Sequence, residues 1–103
     1  MKAQITELGC QFDARASFYG KAQIVREEEI GLETLCSYGV PVVQREIGGS
    51  NETVRLSYKW DYSDTTLRHV KEYLRQIGHP FGTMTKAEIT KQIKANESLI
   101  GEF

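Results

Sequence analysis

The side chains able to do chemistry in this chain are few and scattered: His69 and His79, Cys10 and Cys36, and acidic residues at Glu27-Glu28-Glu29, Asp61 and Asp64. Acyl transfer needs a nucleophile, a histidine base and an orienting carboxylate gathered in one place. No serine here sits in a small-residue elbow, neither cysteine carries a nucleophile signature, and both histidines fall in the helical part of the chain. The spacings from Cys10 to Cys36 and from His69 to His79 match no zinc pattern. A phosphate cradle needs a glycine-rich loop between a strand and a helix, whereas Gly48-Gly49-Ser50 joins two expected strands. Adjacent glutamates in a turn point in divergent directions, so Glu27-Glu28-Glu29 makes a poor acid–base pair and reads as a solvated surface. The expectation is a protein with no catalytic residue, no metal and no cofactor, and therefore not an enzyme.

Recognition is the chemistry that is left. The acidic turn offers carboxylates to a basic partner, and with side chains of the neighbouring strands it defines the expected partner-binding set: Glu27, Glu28, Glu29, Glu33, Arg45 and Arg55. Thirteen basic and fourteen acidic residues leave a net charge of −1, which argues against both a strong nucleic-acid binder and a highly acidic mimic of DNA. The charge is unevenly spread. Between Thr65 and Ala95 the basic residues Arg68, Lys71, Arg75, Lys86, Lys91 and Lys94 face only Glu72 and Glu88. Arg68, Lys71 and Arg75 share the outward side of a helix, opposite Leu67, Val70 and Leu74. Together with Lys91 and Lys94 they form the alternative set, that of a small nucleic-acid-binding regulator. The segment between the two helices, with Pro80 and Gly82, exceeds the short turn of a helix-turn-helix. Tyr58, Trp60 and Tyr62 alternate on the way into Ser63, either as a base-stacking platform or, more plainly, as a core seam anchored by Trp60. His69 reads as a polar-face residue beside Arg68, and His79 as a loop residue.

These residues need a scaffold, and the patterning predicts an α+β fold: a four-stranded antiparallel β meander followed by two α-helices packed on one face. Residues 1–16 have no clear period and are expected to form an arm or a short helix. The sheet occupies 17–60. Its first strand runs from Ser17 to Glu27, the second from Leu32 to Tyr38, and the third from Val40 to Ile47 with Pro41 near its start. The fourth places Val54, Leu56, Tyr58 and Trp60 on one face and Thr53, Arg55, Ser57 and Lys59 on the other. Gly48-Gly49-Ser50-Asn51 supplies the last turn. The helices occupy 63–95. Ser63 can cap the first, whose stripe is Leu67, Val70, Leu74 and Ile77, and Gly78 can close it. Thr85 and Glu88 form a capping box for the second, with Met84 placed to staple onto Ile89. Residues 96–103 read as a tail.

With 103 residues, 40% of them hydrophobic, the chain is expected to close one core and to be a single domain over 1–103. It carries no apolar run of signal-peptide or membrane-spanning length, so a cytoplasmic protein with reduced thiols at Cys10 and Cys36 is expected, as a monomer or a homodimer.

The runs Ser17-Phe18-Tyr19-Gly20-Lys21-Ala22, Leu35-Cys36-Ser37-Tyr38, Tyr62-Ser63-Asp64-Thr65-Thr66-Leu67-Arg68-His69-Val70-Lys71-Glu72-Tyr73-Leu74 and Met84-Thr85-Lys86-Ala87-Glu88 together resemble a family of small proteins carried by phages and mobile elements of Gram-positive bacteria. The resemblance spans roughly residues 17–93. Some small proteins of this kind are similar to anti-CRISPR inhibitors of the type II RNA-guided effector nuclease. What the resemblance implies is a stoichiometric inhibitor in the bacterial host cell that binds the nuclease, or its guide RNA complex, and blocks guide assembly or target DNA engagement. It carries over no catalytic residue.

Overall fold

A computed structural model describes residues 3–14, 18–48 and 53–103. The fold is α+β, and among the described residues the sheet has six strands rather than four: β1 (Gln4–Glu7), β2 (Ala22–Glu27), β3 (Leu32–Ser37), β4 (Val40–Glu46), β5 (Val54–Ser57) and β6 (Ile100–Gly101). Their spatial order is their chain order. Each neighbour pairs antiparallel up to β5, and β6 then adds parallel to β5, so the sheet is mixed. The two unexpected strands lie at the edges, one in the segment read as an arm and one in the tail. The first meander strand begins at Ala22 rather than near Ser17, because Tyr19 and Gly20 form a turn with positive φ of 54° and 75°; Ser17 itself and the turn residues Gly49 to Asn51 lie outside the described residues. The last meander strand ends at Ser57, earlier than the alternation suggested, because the chain turns there: Trp60 N–H donates to the Ser57 carbonyl and Tyr62 N–H to that of Lys59.

Register decides which face is buried. Ala22, Ile24 and Arg26 pair with Ser37, Leu35 and Glu33; Leu35 and Glu33 pair in turn with Val43 and Arg45 of β4, whose own partners are Leu56 and Val54. The helix α1 (Asp64–Gln76) lies on this face. Between Leu35 and Cys36 the register shifts, so that Val42 is the extra residue of a β-bulge and both Val42 and Val43 are buried. Pro41 stands beside the bulge, where its missing N–H costs no regular ladder bond.

The core gathers Leu8, Leu35, Val43, Leu56, Trp60, Val70, Leu74, Phe81 and Ile89 around that contact. Trp60 is buried in this core, whereas Tyr58 and Tyr62 are 64% and 83% exposed. The expected caps are all present. Ser63 accepts from the Thr66 N–H, Gly78 takes a left-handed φ of 77°, and Thr85 and Glu88 close a reciprocal box on α2 (Lys86–Ala95). Met84 packs against the core that holds Ile89. No helix is long and apolar enough to cross a membrane among the described residues.

Candidate functional site

Two polar clusters sit between β3 and α1, and each follows from a polar residue placed on the buried face by the period-2 alternation of the strand. At one end Glu33, 6% exposed, is met by Arg45 and Arg26, each at 3.1 Å, and by the Tyr73 hydroxyl, which donates to Oε1 at 2.5 Å. At the other end Ser37 lies 2.8 Å from His69 Nδ1 and 3.1 Å from the Thr66 hydroxyl, to which Ser63 also donates. His69 is therefore not on the polar face of its helix. It is fully buried, with the Phe18 ring edge-on at 4.5 Å and the Tyr38 ring at 5.7 Å. A serine bonded to a histidine is half of a nucleophile pair. Here the imidazole has no exposed surface and Ser37 retains only 2%, so the pair satisfies polar groups inside a packed seam.

The expected partner-binding residues are split by this arrangement. Glu28 and Glu29 stand exposed in a 3₁₀ turn between β2 and β3, with Glu27 half-exposed at its start and Glu46 exposed on β4 opposite Leu32. Arg26 reaches over to Glu28 at 3.3 Å. Glu33 and Arg45 are committed to the interior: the strand face carrying Glu33, Leu35 and Ser37 turned out to be the one covered by α1, and the charge it brought in needed partners. Arg55 is exposed on the opposite sheet face, its guanidinium lying where a side chain at Gly101 would stand.

The alternative basic set is only partly available. The segment after β1 docks along α1: the Phe12 and Asp13 N–H groups donate to Glu72 at 2.8 and 2.7 Å, and Gln76 donates to the Gly9 carbonyl. Asp13 binds Arg68 through two bonds and the Arg75 guanidinium lies 4.6 Å over the Phe12 ring. Lys71 lines the shallow groove between arm and helix, and Lys91 and Lys94 are exposed on α2. Glu72, 3% exposed, anchors this docking through its carboxylate. Sequence reasoning missed it because a lone glutamate on a helix ordinarily faces water.

Burial pushes the Tyr73 phenol up, with the Glu33 carboxylate adding to the shift. Because the folded state holds this proton more tightly than the unfolded chain, whose tyrosines ionise near ~10, the stabilisation is complete below that pH and is lost as pH rises above it. Wild type should therefore lose urea resistance between about pH 9 and about pH 11 by more than Tyr73→Phe does; equal losses would contradict this. Burial also pushes the thiol of half-buried Cys36 up and holds the His79 imidazole down.

The opposite end of β3 from the acidic turn carries a groove of about 590 Å³ lined by Tyr38, Val40, Val42, Lys59, Tyr62 and the hydroxyl residues Ser37, Ser63, Thr65 and Thr66. Residues 6–94 match the model of a family described only as of unknown function, DUF8033. The chain belongs to that family. The matched span takes in the acidic turn, both polar clusters, the groove and nearly all of α2, and stops before β6. No curated protein and no solved structure matches the chain significantly.

Proposed function

We propose that this protein works by binding a macromolecular partner stoichiometrically, and that the partner is the RNA-guided effector nuclease of a type II CRISPR system, inhibited through blocked guide RNA assembly or target engagement in the cytoplasm of a bacterial host. The choice of partner follows the resemblance over residues 17–93. The surface is chosen from geometry. The observation that supports it is the acidic turn: Glu28, Glu29 and Ile30 are exposed in one short turn, Ile30 by 57%, with Glu27 and Glu46 beside it. An exposed apolar side chain in the same turn as exposed carboxylates offers an anchor that can be desolvated, with charge nearby to steer and orient a basic surface. Effector nucleases of this kind hold their heteroduplex in a positively charged channel, the complementary partner for such a patch.

The turn also sits on a rigid base, since β2 and β3 pair along six residues each and Gly31 closes the turn at φ 63°. Little ordering entropy then remains to be lost on binding. Reversing charge at Glu27, Glu28 and Glu29 to lysine is expected to weaken binding to purified nuclease by about a hundredfold, as loss of several close charge pairs does. Co-elution and surface-immobilised binding measure this. An unchanged dissociation constant would remove the acidic turn from the interface. Binding of nucleic acid through Arg68, Lys71, Arg75, Lys91 and Lys94 draws less support, because Arg68 and Arg75 are already engaged by Asp13 and Phe12.

A further inference from the structure

Four of the five tyrosines are exposed, Tyr19, Tyr38, Tyr58 and Tyr62, while Tyr73 alone is buried. Two of them sit in backbone that tyrosine rarely adopts. Tyr19-Gly20 and Tyr38-Gly39 each have positive φ at both positions, 54° and 75° in the first, 52° and 78° in the second. Tyr38-Gly39 is the two-residue connection of β3 to β4, and asparagine followed by glycine would form such a turn with less strain. The turns stand side by side, with Tyr38 N–H donating to the Lys21 carbonyl at 2.7 Å. A strained position filled by a large exposed ring points to a use other than folding.

We infer that the groove between the β3–β4 turn and the start of α1 binds single-stranded nucleic acid, with bases stacked on Tyr38 and Tyr62 and phosphates held by Lys21 and Lys59. This goes beyond the proposed function and uses the opposite end of the sheet. Tyr38 and Tyr62 line the same groove, whose volume falls within the range of about 300 to 1,000 Å³ typical of ligand sites. Among the described residues of that lining Lys59 is the charged side chain and none is a carboxylate. Lys21 adds a second ammonium, 5.7 Å over the Tyr38 ring. Thr65 brings a hydroxyl group that can bond sugar or base edges. The Tyr38 ring lies 5.7 Å from that of His69, which is itself bonded to Ser37. Aromatic faces interleaved with ammonium groups and free of carboxylates suit a polyanion with flat bases better than a neutral peptide.

The test is fluorescence anisotropy of a labelled oligothymidylate titrated with the full chain. Binding is expected at micromolar concentration, with a log–log salt slope of roughly −1.4 for two phosphate contacts. Tyr62→Ala and Tyr38→Asn should each weaken it about tenfold, while Tyr38→Phe retains it. Asparagine suits the turn, so the urea midpoint of Tyr38→Asn should equal or exceed that of wild type while its binding falls. No binding by wild type at low salt, wild-type affinity in Tyr38→Asn combined with Tyr62→Ala, or equal displacement by a polyglutamate peptide would each overturn it.

Discussion

Glu33→Ala is expected to cost about 3 kcal/mol of folding stability, the low end of the range for breaking a buried ion pair. The carboxylate serves three groups at once, accepting from Arg26, Arg45 and Tyr73. Its removal leaves the Arg45 side chain, 16% exposed, and the Tyr73 hydroxyl without the oxygen they face. Arg26 loses less, since its side chain is 42% exposed and keeps Glu28. Glu33→Gln retains shape and one acceptor but not the charge, so a smaller loss of about 1 to 2 kcal/mol is expected. Urea unfolding at neutral pH orders the three proteins. A neutral Glu33→Ala would mean that the network contributes only what an apolar seam of the same shape would.

Gly82→Ala should be nearly as damaging, by about 3 kcal/mol, the upper range for forcing extra volume into a packed site. The 3₁₀ turn Pro80–Thr83 lies against α1, and a methyl group on Gly82 would stand 2.5 Å from the backbone N and Cα of Arg75. No flexible side chain is there to yield, so the turn itself must move and draw Phe81 from the core. That turn is held at its start by His79, whose ring accepts the Phe81 N–H at 3.1 Å. Gly78→Ala provides the comparison. It has open space but a φ of 77°, so only backbone strain of about 1 kcal/mol is at stake. Thermal unfolding should place Gly82→Ala well below Gly78→Ala; the reverse order would contradict the packing argument.

The central strands were legible because alternation is strong where one face is buried, and the caps at Ser63, Gly78, Thr85 and Glu88 were legible because each is local chemistry. The edge strands were not. All four residues of β1 are exposed and β6 is two residues long, so neither carries a burial pattern that periodicity could detect. The helix stripe was read too narrowly. Thr66, His69 and Tyr73 follow helical spacing alongside the expected Val70 and Leu74, and the buried stripe includes them, but their polar groups concealed it. Glu33 failed for the same reason: alternation in β3 allowed either face to be inward, and only the sheet-to-helix packing chose the one holding a carboxylate. The acidic turn was read correctly in position. The tyrosine groove was not foreseen, because it joins residues from β3, β4 and the approach to α1, and no sequence window contains them together.

The central proposal is that this molecule is a binder whose reactive-looking side chains are structural. Titrating the purified protein into a fixed amount of guide-loaded type II nuclease, with target cleavage as the readout, tests this most directly. Inhibition should fall on a straight line that ends at a fixed molar ratio and does not change with longer preincubation. Loss of cleavage at far below equimolar protein, deepening with time, would show turnover and contradict it, as would full cleavage at saturating protein.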